Sequence, residues 1–168
     1  MFTNRISQTL HDEHRATIAL MERLERVVIR KKPIDIADPQ EAQLLRDLVF
    51  AIDADTMRHF DFEETQLFTM FDTVGDQLIG DHLTEEHAFM RPLGEKLAAL
   101  ARAAQSGGFD AGSWKEFSRV CAEFVQRMMV HVQKEEMALL PLLDDTMDRE
   151  TEMRLYEAYT GLGTEAGN

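Results

Sequence analysis

Cysteine is nearly absent: the chain has one, Cys121. A single thiol gives no disulfide framework and no cysteine-built zinc site. Cys121 sits at the edge of an apolar helical stripe and reads as a small hydrophobe. Bases are also scarce, with 18 Lys and Arg against 31 Asp and Glu, a formal net charge of −13. Such a surface repels phosphate backbones and anionic headgroups, so nucleic acid and membranes are excluded as partners, while bound di- or trivalent cations would offset the charge. No apolar run approaches the roughly 20 residues of a membrane span. Arg5, Asp12, Glu13 and Arg15 interrupt the place where a secretory signal would need an apolar stretch. A soluble, cytoplasmic protein is expected, and 168 residues fit one domain with a real core.

Proline is scarce too, four in all, and helical periodicity fills the intervals. A helix is expected over 3–30, capped by Thr3 or Asn4, with Ile6, Leu10, Ile18, Met21, Leu24 and Val28 on one face. Pro33 and Pro39 break any continuation through 31–39, and Asp38 can cap the next helix with Pro39 at its first position. That helix should run over 40–72 and turn at Gly75. A third should start near Asp76 or Asp81 and reach about 105, kinked at Pro92. A Gly-rich connector over 106–113 leads to a fourth helix, capped by Ser113 and ending near 146, with Pro141 bending its end. A short helix over 148–162 follows, with Leu155, Tyr156, Tyr159 and Leu162 on one side and Trp114 packing against it; 163–168 should fray. The expected architecture is all-α: an up-down-up-down antiparallel four-helix bundle over 1–146, with a short extra C-terminal helix and tail over 147–168.

One stretch occurs twice. At 59–72 the chain reads HFDFEETQLFTMFD and at 131–144 HVQKEEMALLPLLD, sharing H-x-x-x-E-E-x-x-L-x-x-x-x-D at an offset of 72. Helical spacing of four puts His59 with Glu63, and His131 with Glu135, on single faces, and both faces are apolar stripes. A buried carboxylate must be paired or coordinate a metal. The repeat extends upstream, where Leu10-His-Asp-Glu-His14 parallels Leu83-Thr-Glu-Glu-His87 at an offset of 73. About 16 residues, roughly 24 Å of helix, follow His14 in its helix, and about 19 precede His59 in the next. The second pair of helices gives about 17 and 18 by the same rise. Four imidazoles and two carboxylates should therefore meet in one layer.

One zinc takes about four ligands in a tetrahedron, so six donors on four helices are too many for it. Two iron or manganese ions suit better, with each Glu bridging, the His terminal and positions left for a small ligand. Ferritin-like di-iron bundles carry Glu-x-x-His; the reversed order and spacing of four here point elsewhere.

The set Glu13-His14, His59-x-x-x-Glu63, Glu86-His87 and His131-x-x-x-Glu135 resembles the hemerythrin or HHE cation-binding family over roughly residues 5–145. The resemblance implies a four-helix bundle with a non-haem di-iron centre and the metal ligands His14, His59, Glu63, His87, His131 and Glu135. It implies two iron ions, with manganese or zinc as substitutes, and a small ligand such as O2 or nitric oxide. Oxygen-carrying members have a further His where this chain has Leu83, and place the last carboxylate at the spacing of Glu136; the internal repeat favours Glu135. Reversible O2 carriage is thereby disfavoured.

A lone His/Glu pair in a core is usually a hydrogen-bonded pair, and only the duplication at matched depth outweighs that reading. Glu64 and Glu136 are expected on the outer face, or else orienting ligands. His11 and His82 are flank residues, and the ten methionines are core packing. The expected function is a di-iron binding protein, rather than an enzyme, that senses or handles O2, nitric oxide, peroxide or iron. The alternatives are a di-iron oxidase or peroxidase, an iron-centre repair protein, and a zinc-binding interaction module. Oligomeric state is left open.

Overall fold

The computed structural model describes residues 2–71 and 77–162, and among them every regular element is helical. Helix α1 is Arg5–Ile29. The rod α2 opens as Pro39–Phe50, passes through a π-type turn Ala51–Thr56, continues as Met57–Phe62, takes a second π-type turn Glu63–Leu67 and closes as Phe68–Phe71. Helix α3 is Gln77–Gly107, continuous through Pro92. The rod α4 runs Ala111–Lys134, takes a π-type turn Glu135–Leu139 and ends as Leu140–Thr146; α5 is Arg149–Leu162. The expected turn at Gly75 and the frayed tail at 163–168 lie outside the described residues. No helix among the described residues is long and apolar enough to cross a membrane.

Capping follows short-range chemistry in part. Asp38 accepts from the backbone N–H groups of Gln40 and Glu41 and starts α2 at Pro39. The start of α4 differs from expectation. Asp110 is the cap and Ser113 the reciprocal partner three residues on, because together they satisfy two N–H groups that Ser113 alone could not. At the start of α1, Asn4 occupies the cap position, but its side chain reaches the Leu143 and Asp144 carbonyls instead. Asp144, the last residue of the repeated motif, accepts from Thr3 N at 2.8 Å and Asn4 N at 2.7 Å, and Glu152 of α5 accepts from Arg5 N at 3.0 Å. The α1 N-terminus is thus satisfied from other rods.

Consecutive rods pack on one another, α4 also packs on α1, and α5 lies against α1. Gly94 permits a close approach: a Cβ there would stand 3.3 Å from Phe124 and 3.4 Å from Met57. The core divides into two apolar clusters. One contains Leu24, Leu45, Leu97 and Phe117; the other contains Ile6, Phe62, Leu139, Leu155 and Tyr159. Trp114 belongs to the first, against Phe109 and Phe117, so it does not pack on α5, whose buried residues belong to the second.

Each π-type turn holds one more residue than an α turn and rotates the following stripe by one position. Around Glu135–Leu139 this leaves Ala138 exposed and buries Leu139 and Leu140 side by side. Two of these turns begin at Glu63 and Glu135, the same point in each copy of the motif.

Candidate metal centre

On every long rod the boundary between the two apolar clusters is marked by a histidine: His14 lies between Leu10 and Leu20, His59 between Ile52 and Phe62, His87 between Leu83 and Met90, His131 between Met128 and Leu139. The four imidazoles and the carboxylates of Glu63 and Glu135 are all buried, with exposures from 0% for Glu63, His87 and Glu135 to 8% for His59. They form two groups that share both carboxylates: His14, His59, Glu63 and Glu135, and Glu63, His87, His131 and Glu135. Within each group, one ligand atom from every residue lies within 4.8 Å of the others.

In the first group His14 Nε2 is 3.2 Å from His59 Nε2 and 3.2 Å from Glu135 Oε2, and His59 Nε2 is 3.1 Å from Glu63 Oε1. In the second, His87 Nε2 is 2.9 Å from His131 Nε2 and 3.5 Å from Glu63 Oε2, and His131 Nε2 is 3.0 Å from Glu135 Oε1. The carboxylate oxygens are close to the ring nitrogens, yet all four oxygens are buried without an aligned hydrogen bond. Four orphaned anionic oxygens in an apolar interior are expensive. A cation in each of the two groups would satisfy the shared carboxylates, so the residues fit a cation pair.

The outer nitrogens fix the rings. His14 Nδ1 donates to Glu136 at 2.7 Å, His59 Nδ1 to Glu13 at 2.9 Å, His87 Nδ1 to Glu64 at 2.9 Å and His131 Nδ1 to Glu86 at 2.9 Å. A carboxylate can only accept, so each Nδ1 carries the hydrogen and a neutral ring then turns its Nε2 lone pair inward. Glu64 and Glu136, expected first on the outer face, are the ring-orienting residues of the neighbouring rods. Glu13 and Glu86 do the same, and sequence reasoning gave them no role. The signal was present as position: the residue before each His of α1 and α3, and the residue after each buried Glu. Each outer carboxylate also has a second partner, Arg58 for Glu13, Arg91 for Glu64, Lys134 for Glu86 and His11 for Glu136. His82 stays exposed and accepts from Lys134 at 2.8 Å.

Without a cation, the buried carboxylates draw protons onto three of the four rings. Burial disfavours charge on His14, His59 and His131. The adjacent Glu135 for His14 and His131, and Glu63 for His59, outweigh it, so all three are pushed up, His131 to about 9. Burial and the charge of His131 push His87 down to about 3. Burial and the negative charge of Glu135 raise Glu63, whereas His131 and His14 hold Glu135 low against burial. Two carboxylates at one site cannot both ionise cheaply without positive charge between them. Burial raises the Cys121 thiol to about 12, so it stays protonated and inert.

A match to a family model settles the kinship: the hemerythrin HHE cation-binding domain aligns with residues 5–143. The chain belongs to the hemerythrin HHE cation-binding family. No curated protein matches it at a meaningful level. All six buried donors and all four ring-orienting carboxylates fall inside the HHE domain, while α5, which begins at Arg149, lies beyond it. From α5, Tyr159 donates to Glu13 and lies 3.3 Å from His59 Nδ1, and the Arg58 guanidinium stands 4.4 Å over its ring. Helix α5 thus holds one of the HHE histidines in place, a role without a signal in the repeat because α5 has no counterpart there.

The two halves are not equally enclosed. On the second half Phe60 stacks on His87 with centroids 3.7 Å apart, and Phe68 adds a second ring at 5.7 Å. Beside the first half a pocket of about 340 Å³ opens between α1, α2 and α4, reaching His14, His59, His131 and Glu135.

Proposed function

We propose that this HHE-family chain is a non-haem di-iron binding protein in which Glu63 and Glu135 bridge two ions, His14 and His59 complete one and His87 and His131 the other. The single observation carrying this reading is the buried layer in which both carboxylates, unsatisfied by hydrogen bonds, are shared between two His pairs whose outer nitrogens are already committed. The rods α1 to α4 are read as an up-down-up-down antiparallel four-helix bundle over 1–146, with 147–168 as an added helix and tail. The short connectors and the meeting of His14 with His59, and of His87 with His131, support that topology. The location is read as cytoplasmic.

Bound iron would supply reversible redox change and affinity for O2, nitric oxide or peroxide. The chain's own residues orient the rings, cover His87 with Phe60 and Phe68, and leave His14, His59 and His131 reachable from the pocket. Four imidazoles and two carboxylates suit iron and also accept manganese or zinc. The role is sensing or handling the small ligand, or iron itself. A second reading, a di-iron oxidase or peroxidase, is favoured by the pocket at the first half, which exceeds what a diatomic ligand needs.

The test is metal analysis of protein made with iron supplementation and purified without chelator, together with anomalous scattering from crystals. About two irons per chain, both between Glu63 and Glu135, are expected for such a donor set. Less than about half an equivalent of any transition metal would overturn the reading.

A further inference from the structure

The chain has two tyrosines and one tryptophan as its readily oxidised rings. Trp114 lies in the apolar cluster of Leu24 and Phe117, against Phe109, and Tyr156 sits half-buried under the Arg5 guanidinium at 5.1 Å. Tyr159 is placed differently. It is buried at 1% exposure, with its ring T-shaped to that of His59, centroids 6.4 Å apart, and 4.5 Å from that of Phe62. Its oxygen lies 3.3 Å from His59 Nδ1, so a single imidazole separates the phenol from an inward Nε2 of the donor layer.

The second copy of the repeat shows what orienting a ring requires. There Glu86 holds His131 and is itself held by Lys134, a cation without redox chemistry. Glu13 holds His59 in the same way and has the Arg58 guanidinium at 2.9 Å as its cation. The Tyr159 hydroxyl is a further donor to the same carboxylate, with no counterpart in the second copy. Orientation alone does not call for a phenol. Oxidation of a phenol removes an electron and a proton, and this proton already points at an acceptor. The Arg58 guanidinium, 4.4 Å over the ring, opposes a positively charged ring, so the electron and the proton must leave together.

We propose that Tyr159 is a one-electron donor to the metal centre, used when a hydroperoxide meets a chain that holds a single ferrous ion. Reduction of hydrogen peroxide to two waters takes two electrons and two protons. One electron comes from the ferrous ion, which becomes ferric. The other comes from Tyr159 by way of His59, and the phenol proton passes along its hydrogen bond to Glu13, which leaves a neutral phenoxyl radical on Tyr159; solvent supplies the two protons that end in water. Without this donor a single ferrous ion splits the peroxide into hydroxide and a free hydroxyl radical. Burial among Phe62 and the second apolar cluster keeps water from the phenoxyl group. The inference rests on the di-iron reading and adds the residue that keeps peroxide reduction from releasing a radical.

The test loads the full chain with one ferrous ion under anaerobic conditions, measures the metal content, adds hydrogen peroxide and records electron paramagnetic resonance after freezing, with a hydroxyl-radical spin trap in parallel samples. A phenoxyl signal should form in the parent and in Tyr156→Phe and be absent from Tyr159→Phe, where trapped hydroxyl radical should rise by about the amount of phenoxyl lost. Metal-free chains oxidised by light-generated tris(bipyridine)ruthenium(III) give a second measurement. There the radical of Tyr156→Phe, carried by Tyr159, should outlive that of Tyr159→Phe, and adding Glu13→Gln should shorten its life by about tenfold, the loss of one charge-assisted hydrogen bond. With iron bound, a missing Tyr159 radical, or equal trapped hydroxyl radical in the parent and Tyr159→Phe, would overturn the proposal. A Tyr159 radical in metal-free protein that is no longer lived than that of Tyr156, or indifferent to Glu13→Gln, would overturn it as well. Failure to bind iron, with the long-lived Tyr159 radical still formed by the ruthenium oxidant, would count against the metal reading and leave Tyr159 as the redox-active residue.

Discussion

The two halves of the donor layer are built from nearly the same sequence and differ in what surrounds them. Both have two buried imidazoles, the same pair of shared carboxylates, and outer carboxylates on the ring Nδ1 atoms. Phe60 and Phe68 cover His87, whereas the pocket reaches His14, His59 and His131, and Tyr159 holds His59 from the other side. The donors are therefore symmetric and their surroundings are not. The second copy has its own depression, of about 470 Å³, with Met90 where the first has Thr17, but none of the six buried His and Glu side chains lies in its wall.

The strongest way to break the symmetry of the layer is to remove what the halves share. Glu63→Gln should cut retained metal from about two ions per chain to one or none, as a bridging carboxylate serves both sites. The same substitution should raise the unfolding free energy of metal-free protein by about 1 kcal/mol, because it removes a buried carboxylate that repels Glu135. Opposite signs in metal analysis and in metal-free denaturation separate a ligand from a merely structural Glu, which would lose stability in both. Next come substitutions that strip one half. His87→Ala and His14→Ala should each leave about one ion per chain, with anomalous density remaining on the opposite side.

The outer carboxylates give a smaller and more even effect. Glu13→Gln, Glu64→Gln, Glu86→Gln or Glu136→Gln should each weaken metal affinity by about 10- to 100-fold in a chelator competition, since only ring orientation and basicity change. Acid should act on the same residues. The His131 and Lys134 partners hold Glu86 at about 2, and Glu13, despite burial, is held at about 2 by His59 and Tyr159. Both lie below the ordinary value of 4.5. A lowered pKa means that the folded state favours the ionised form, so this stability is full above about 4.5 and is lost as pH falls toward 2. Urea midpoints measured across that window should fall for the parent chain and vary less for Glu86→Gln. The smallest effect expected is that of Tyr159→Phe: loss of about 1 kcal/mol of stability, one hydrogen bond, with looser metal retention on the His14/His59 half only.

Much of the site was legible because its signals are local. Spacings of four within one helix placed His59 with Glu63 and His131 with Glu135, and near-equal intervals from His14 to His59 and from His87 to His131 brought each pair together; both pairs do meet, at 3.2 and 2.9 Å between Nε2 atoms. Helix ends were readable where the cap is a neighbour, as at Asp38, and misread where it is remote or reciprocal, as at Asn4 and Ser113.

The sequence alone determined the helical rods, the duplication and the six inward donors, since each follows from the 3.6-residue period of a chain reading its own near neighbours. Only the tertiary structure decided which carboxylate holds which ring, because Glu136 and His14 are 122 residues apart and no periodicity links them. The same is true of the π-type turns, where one added residue per turn left Ala138 outward and Leu140 inward, and of the pocket, whose wall is drawn from three rods. Contacts between rods are set by packing, and packing is settled only when all the rods are in place.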